Sequence, residues 1–338
     1  MIPVFFGLEG PALTDAEREL FRATDPAGYI LFQRNCVNPE QVKALTDPLK
    51  DLSGRGEALP ILIDQEGGRV ARLKPPHWPA FPPAKRFADL YDVSPVSAMD
   101  AARLNARAIA EVVRSVGVTV DCLPVLDVPV TGAHDVIGDR AYGFEPTQVA
   151  ALGKATLEGL LEGGVVGVIK HIPGHGRARS DSHLELPVVD DPWESLEQDF
   201  APFAKLADAP MAMTAHVVYT AIDAERCATL SPKVITQVIR EQIGFSGLLM
   251  SDDINMKALS GSYAEKAQGC LDAGCDVVLH CSGILAEMQE VASVLPEISE
   301  AARARLEAAM GWAKTEAHGD EELIASLTAK RDALLALA

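Results

Sequence analysis

The sequence predicts an α/β protein: one (β/α)8 TIM-type barrel spanning residues 1–338, with extra helices at its C-terminus. Three observations predict it. Short β-rich runs alternate about eight times with longer Ala/Leu/Glu/Lys helical patterns, as a barrel requires. The β-rich runs are almost continuously apolar, which implies burial on both faces and hence a parallel sheet. The conspicuous polar residues also sit where those runs end, namely Asp64, Lys170, His171, His216, Asp252, Asp253 and His280. Barrels collect their chemistry at the C-terminal ends of strands.

Taken in order, strands are expected at 4–6, 28–32, 61–64, 118–123, 165–169, 211–214, 248–251 and 276–279. Amphipathic helices are expected at 15–23, 39–52, 99–116, 147–162, 193–206, 232–242 and 264–272. Thr14, Asn38 and Ser231 precede three of these helices and have N-cap chemistry, with Pro39 and Pro232 at first helical positions. The segment PPHWPAFPP at 75–83 reads as a long loop after the third strand. Ala-rich helical sequence from Ile284 onward should wrap the outside of the barrel. A doubly wound open sheet is disfavoured, because no Gly-rich phosphate loop follows the first strand. No linker or composition shift divides the chain.

Composition narrows the function classes. A net charge of −18 argues against nucleic acid or an anionic membrane as partner. No apolar run approaches the roughly 20 residues that span a bilayer. The start MIPVFFGLEG lacks the features of a signal peptide, so a cytoplasmic location is expected. The six cysteines form no CxxC pair and several lie in apolar runs, which suggests buried free thiols.

The stretch Lys170–His183, KHIPGHGRARSDSH, concentrates three histidines, a lysine and an aspartate in a Gly/Pro-broken loop after the fifth strand. Titratable groups on a loop that a rigid strand positions are what an active site needs. Asp181 and His183 are two apart, so an extended segment turns both side chains to one side. A carboxylate bonded to one imidazole nitrogen fixes the tautomer and prepares the other nitrogen to move a proton. The same residues could instead be a surface Asp–His pair. A metal site of His171, His175 and His183 with Asp181 is a further alternative. It comes second, because Lys170 would repel a cation and Pro173-Gly174 suggests a shaped turn.

Ser251-Asp252-Asp253 ends an apolar strand with two carboxylates. One can point into a cleft as a nucleophile while the other caps the next helix. Asp64-Gln65-Glu66-Gly67-Gly68-Arg69-Val70-Ala71-Arg72 offers an acceptor for paired sugar hydroxyls, two glycines and two arginines. Its bland alternative is a structural ion pair, above all Glu66 with Arg69. Arg140 in IGDRAYG is placed to reach a ligand.

Together these segments resemble the bacterial β-N-acetylhexosaminidases of glycoside hydrolase family 3, in their single-domain form. The matching pieces are IDQEGGRVARL at 63–73, DCLPVLDV at 121–128, IGDRAYG at 137–143, KHIPGHG with DSH at 170–183, and SDDINM at 251–256. The resemblance implies a retaining exo-β-N-acetylglucosaminidase acting through a covalent glycosyl-enzyme intermediate. It implies Asp252 as nucleophile, His183 as general acid/base tuned by Asp181, and Asp64, Arg72, Arg140, Lys170 and His171 as sugar-binding residues. The implied substrate is N-acetylglucosamine β-1,4-linked to 1,6-anhydro-N-acetylmuramic acid, with or without the stem peptide, in cell-wall recycling. No metal or cofactor is expected, the partner is a small-molecule substrate, and the protein is expected to be a monomer. Two departures stand out: Ile172 where phenylalanine is usual, and Ala141-Tyr142 where Ser-Phe is commoner. A family 3 β-glucosidase, a metal-dependent hydrolase and an inactive sugar-binding protein are the rival readings.

Overall fold

A computed structural model describes residues 1–182, 184–313 and 319–338. His183, expected to be the general acid/base, therefore lies outside the described residues. Eight parallel strands close into a barrel: β1 (Ile2–Gly7), β2 (Pro26–Leu31), β3 (Ile61–Ile63), β4 (Val120–Asp121), β5 (Val166–Ile172), β7 (Met211–Thr214), β9 (Leu248–Asp253) and β10 (Val277–His280). The seam joins β1 to β10, pairing Val4 with Val278 and Phe6 with His280. Two further short strands, β6 (Val188–Val189) and β8 (Val218–Tyr219), pair in parallel beside the barrel. That small sheet is not legible in sequence, because two-residue strands carry no periodicity.

Side chains alternate along each barrel strand. Phe5, Leu62, Val120, Val166, Val168, Met211, Met250 and Val277 fill the interior. Val4, Phe6, Ile61, Ile63, Ile169, Ala212, Leu249 and Val278 pack outward against the helices. Both faces are buried, which is why these runs read as continuously apolar. The helices are α1 (Asp15–Thr24), α2 (Pro39–Ser53), α3 (Lys85–Val93), α4 (Pro95–Ser115), α5 (Pro146–Glu162), α6 (Trp193–Lys205), α7 (Tyr263–Ala273), α8 (Leu285–Val294), α9 (Glu300–Met310) and α10 (Glu321–Leu335). A wider-wound π-helical segment, Val234–Gln242, stands between β8 and β9. Thr14, Asn38 and Ser231 each accept a backbone N–H of the first turn, as their positions suggest.

Three features depart from the sequence reading. The strand expected over 118–123 pairs on both sides only at Val120–Asp121, since the Leu123 N–H turns back to the Asp121 carbonyl at 2.8 Å. The strand expected to stop at Ile169 runs on to Ile172, so Lys170 and His171 are strand residues rather than loop residues. Finally, the C-terminal helices do not all wrap the outside. α9 closes the N-terminal end of the barrel, with Ala302, Leu306, Ala309 and Met310 packed on the interior cluster. Arg305 and Arg240 fasten this end through Asp276, at 2.6 and 2.8 Å. All six cysteines are buried and unpaired. No described helix is long and apolar enough to cross a membrane.

Candidate active site

At the C-terminal mouth of the barrel lies a cavity of about 300 Å³. Asp64, Arg72, Arg140, Lys170, His171, Asp181 and Asp252 all line it. Residues proposed from four separated segments thus meet in one place. Apolar atoms of Ile30, Phe32, Met213, Met256 and Leu279 complete the wall.

One wall is a ladder of alternating charge. Arg72 Nη2 donates to Asp64 Oδ2 at 2.9 Å, and Lys170 Nζ donates to Asp64 Oδ1 at 2.9 Å. Lys170 Nζ also meets Glu66 Oε1 at 2.6 Å. Glu66 in turn takes both Nε and Nη2 of Arg140, each at 2.8 Å, in a bidentate pair. The expected Glu66–Arg69 pair does not form; Arg69 instead binds Asp139 at 2.9 Å and the carbonyls of Asp135 and Val136. The glycine turn explains the exchange. Gly67 and Gly68 have φ of +100° and +56°, and a Cβ on Gly67 would lie 2.3 Å from the Pro82 carbonyl. The turn carries Arg69 outward and returns the chain so that Arg72 faces Asp64. Gln65 locks it, accepting from the Arg72 and Leu73 amides and donating to the Leu73 carbonyl.

Burial alone would raise the pKa of Glu66, but Arg140 and then Lys170 overcome it and hold the carboxyl at about 2. Asp64 is shifted the same way, with Lys170 and Arg72 outweighing burial. Burial would discharge Lys170, yet Asp64 and Glu66 keep it firmly protonated. The sign of the consequence follows from linkage. A carboxyl whose folded pKa lies below its ordinary 4.5 stabilises the fold above that pH and loses the contribution as pH falls toward 2. For Glu66 this amounts to about 3 kcal/mol. Urea midpoints should therefore fall between pH 5 and pH 2.5, less so in Glu66→Gln; equal slopes in the two proteins would contradict the ladder's role.

Much of the histidine stretch is buried, and Ile172 and Ala178 are core residues. Its polar groups converge on Asp127, a residue the sequence reading left without a role. Asp127 Oδ2 lies 2.7 Å from His171 Nδ1, and Oδ1 accepts the amides of His171 and His175 at 3.2 and 2.6 Å. Burial would raise the Asp127 pKa, but His171 and the His175 amide hold it at about 2. An ionised Asp127 fixes the His171 tautomer with a proton on Nδ1, so Nε2 is left to face a ligand. His175 braces the turn: it is buried, and its Nε2 lies 3.2 Å from Ser182 Oγ. Gly176 permits this packing, since a Cβ there would lie 2.0 Å from the Val128 carbonyl. Arg177 then ties the stretch to α6 through Asp199 at 2.7 Å and the Ser195 carbonyl at 2.9 Å.

The two aspartates of β9 divide their work. Asp253 Oδ1 accepts the amides of Asn255 and Cys281 at 3.0 and 3.1 Å, pinning the turn that follows. Burial, helped by the Asp252 charge, raises its pKa to about 6 despite those amides. Asp252 Oδ1 accepts the N–H of Asp253 at 2.8 Å. Thr214 Oγ1 accepts the Asp252 N–H at 3.2 Å. A carboxylate at a strand end, on the cavity wall, can attack an electrophilic carbon held against the charge ladder.

Comparison with known proteins agrees with this geometry. Residues 5–311 match the family model described as the glycosyl hydrolase family 3 N-terminal domain. A β-hexosaminidase of Bordetella avium is 37% identical over 285 residues, covering 83% of this chain and 80% of that protein. A β-hexosaminidase of Chromobacterium violaceum is 36% identical, covering 93% and 88%. The crystal structure of native NagZ from Neisseria gonorrhoeae superposes with a TM-score of 0.86 at 32% identity, covering 99% of this chain and 97% of that one. The chain therefore belongs to glycosyl hydrolase family 3, as a β-N-acetylhexosaminidase of the NagZ type.

Proposed function

We propose that the protein is a retaining exo-β-N-acetylglucosaminidase. It releases terminal N-acetylglucosamine from a β-1,4 link to 1,6-anhydro-N-acetylmuramic acid, with or without a stem peptide, during peptidoglycan recycling in the cytoplasm. It works as a monomer on a small-molecule substrate, without metal or cofactor. One observation carries the reading: Asp252 lines a small cavity shared with the Arg72–Asp64–Lys170–Glu66–Arg140 ladder and His171. A space of about 300 Å³ admits roughly one sugar ring, which suits removal of a terminal residue.

In this reading Asp64 accepts from vicinal hydroxyls, Lys170, Arg72 and Arg140 donate to the remaining oxygens, and the bare Nε2 of His171 accepts a hydroxyl proton. The Asp252 carboxylate attacks the anomeric carbon from the α face as the glycosidic C–O bond breaks. His183 gives its proton to the departing oxygen, leaving a glycosyl ester on Asp252. His183 then takes a proton from water, whose oxygen attacks the same carbon and releases Asp252. Two inversions leave the β configuration intact. Asp181 accepts from one nitrogen of His183 and keeps the other available for the transfer.

His183→Ala should slow turnover by about 10²- to 10⁴-fold. The loss should grow as the leaving group becomes more basic, because a poor leaving group depends most on the donated proton. A leaving-group series showing equal loss throughout would contradict the assignment. The substrate and stereochemistry are tested together by following hydrolysis of the synthetic disaccharide by proton NMR. The β anomer of N-acetylglucosamine should form first. Initial release of the α anomer, or an untouched substrate alongside rapid cleavage of another β-hexosaminide, would overturn the reading.

A further inference from the structure

Two histidines at strand ends, His216 and His280, have no part in the reaction described above. His216 follows β7 and is fully buried, as are Thr214 and Thr229 around it. Its Nε2 lies 3.0 Å from the backbone carbonyl of Asp253, and its Nδ1 lies 2.8 Å from Thr229 Oγ1. Thr229 Oγ1 is 2.8 Å from Thr214 Oγ1, which accepts the Asp252 N–H.

The protons in this network can be assigned by elimination. A carbonyl only accepts, so His216 Nε2 carries a proton and donates it to Asp253. Burial, the largest influence on His216, lowers its pKa and keeps the ring neutral. Nδ1 is then bare, and the Thr229 hydroxyl, which also lies 3.1 Å from the Ala215 carbonyl, donates to Nδ1 at the shorter distance of 2.8 Å. The Thr229 oxygen can accept the Thr214 proton, and the Thr214 oxygen accepts from Asp252. The result is a one-directional chain from the Asp252 N–H, through Thr214, Thr229 and His216, to the Asp253 carbonyl. Its two ends bracket the adjoining residues Asp252 and Asp253. The Asp253 N–H between those ends holds Asp252 Oδ1, so fixing this backbone also aims the carboxylate.

We propose that His216, through Thr229 and Thr214, is a positioning residue that holds the Asp252 carboxylate in line with the anomeric carbon. The proposal rests on Asp252 being the nucleophile. It predicts a defect in the attack itself and not in sugar binding, because His216, Thr229 and Thr214 are not among the residues that line the cavity. Misplacing a reacting group by about an ångström costs on the order of 10²-fold in rate.

The test is inactivation of the full-length protein by a 5-fluoro N-acetylglucosaminyl fluoride, followed by peptide mapping. His216→Phe should label Asp252 about 10²-fold more slowly at saturation, with the half-saturating concentration within about twofold of wild type. His216→Gln keeps an amide donor for the Asp253 carbonyl and should recover to within about fivefold. If the phenylalanine variant does not fold, Thr229 decides: Thr229→Val should be slowed about tenfold while Thr229→Ser stays near wild type. Wild-type labelling rates in the Phe or Val variant would overturn the proposal. So would glutamine and phenylalanine variants that are equally slow, or an effect confined to the half-saturating concentration. A wild-type label on a residue other than Asp252 would instead overturn the nucleophile assignment on which the proposal stands.

Discussion

Asp252→Ala is expected to remove turnover of an aryl β-N-acetylglucosaminide by on the order of 10⁴- to 10⁶-fold, as loss of a covalent nucleophile generally does. The fold should survive, because the turn after β9 is held by Asp253, whose carboxylate accepts the Asn255 and Cys281 amides. The variant also leaves a space on the α face of the sugar. Azide can occupy it and attack the anomeric carbon directly, so added azide should restore part of the rate on an activated substrate. Its product should be the α-glycosyl azide, since only one inversion then occurs. Wild-type-like turnover without azide, or rescue giving the β-azide, would show that Asp252 is not the nucleophile.

Lys170→Met is expected to be damaging in a different way. Lys170 is 2% exposed and bridges Asp64 and Glu66, so its loss leaves the half-buried Asp64 and the buried Glu66 carboxylates facing each other across an apolar side chain. Removing one partner of a buried ion pair costs about 3–5 kcal/mol. Arg72 and Arg140 remain on the outer sides of the two acids, which places the expected loss toward the lower end. Urea unfolding should show it, with sugar binding lost as well. Adding Glu66→Gln removes one stranded charge and should return part of the stability without returning activity. A Lys170→Met protein as stable as wild type would mean that the ladder does not hold this end of the barrel together.

Most of the barrel was legible in the sequence because its strands are buried on both faces. Runs such as those at 211–214 and 248–251 have no other good explanation than a parallel sheet. Helix α3 was missed because nine residues after a Pro-rich loop give too short a pattern. Helix α9 falls within the helical sequence expected after Ile284, but it was placed on the outside, because Ala-rich periodicity does not say which end of a barrel a helix closes. The candidate site was legible through one rule, that polar residues at strand ends share a mouth. The partners within it were harder to read. Glu66 lies three residues from Arg69, yet the glycine turn sends it to Arg140, 74 positions away. Asp127 had no role in the sequence reading, because the histidine positions it serves lie 44 and 48 residues downstream. His216 was visible as a strand-end histidine, but its value lies in Thr229 and in a backbone carbonyl, neither of which has a sequence signature.

In the mechanism proposed above, this barrel forms a covalent glycosyl ester on Asp252, the first of the two aspartates that end β9. Trapping with a fluorinated N-acetylglucosaminide and mapping the labelled peptide tests it most directly. One sugar is expected to be bound covalently per chain, on Asp252 and absent from Asp253. A label on Asp253, or full turnover with no covalent species at any time, would contradict it.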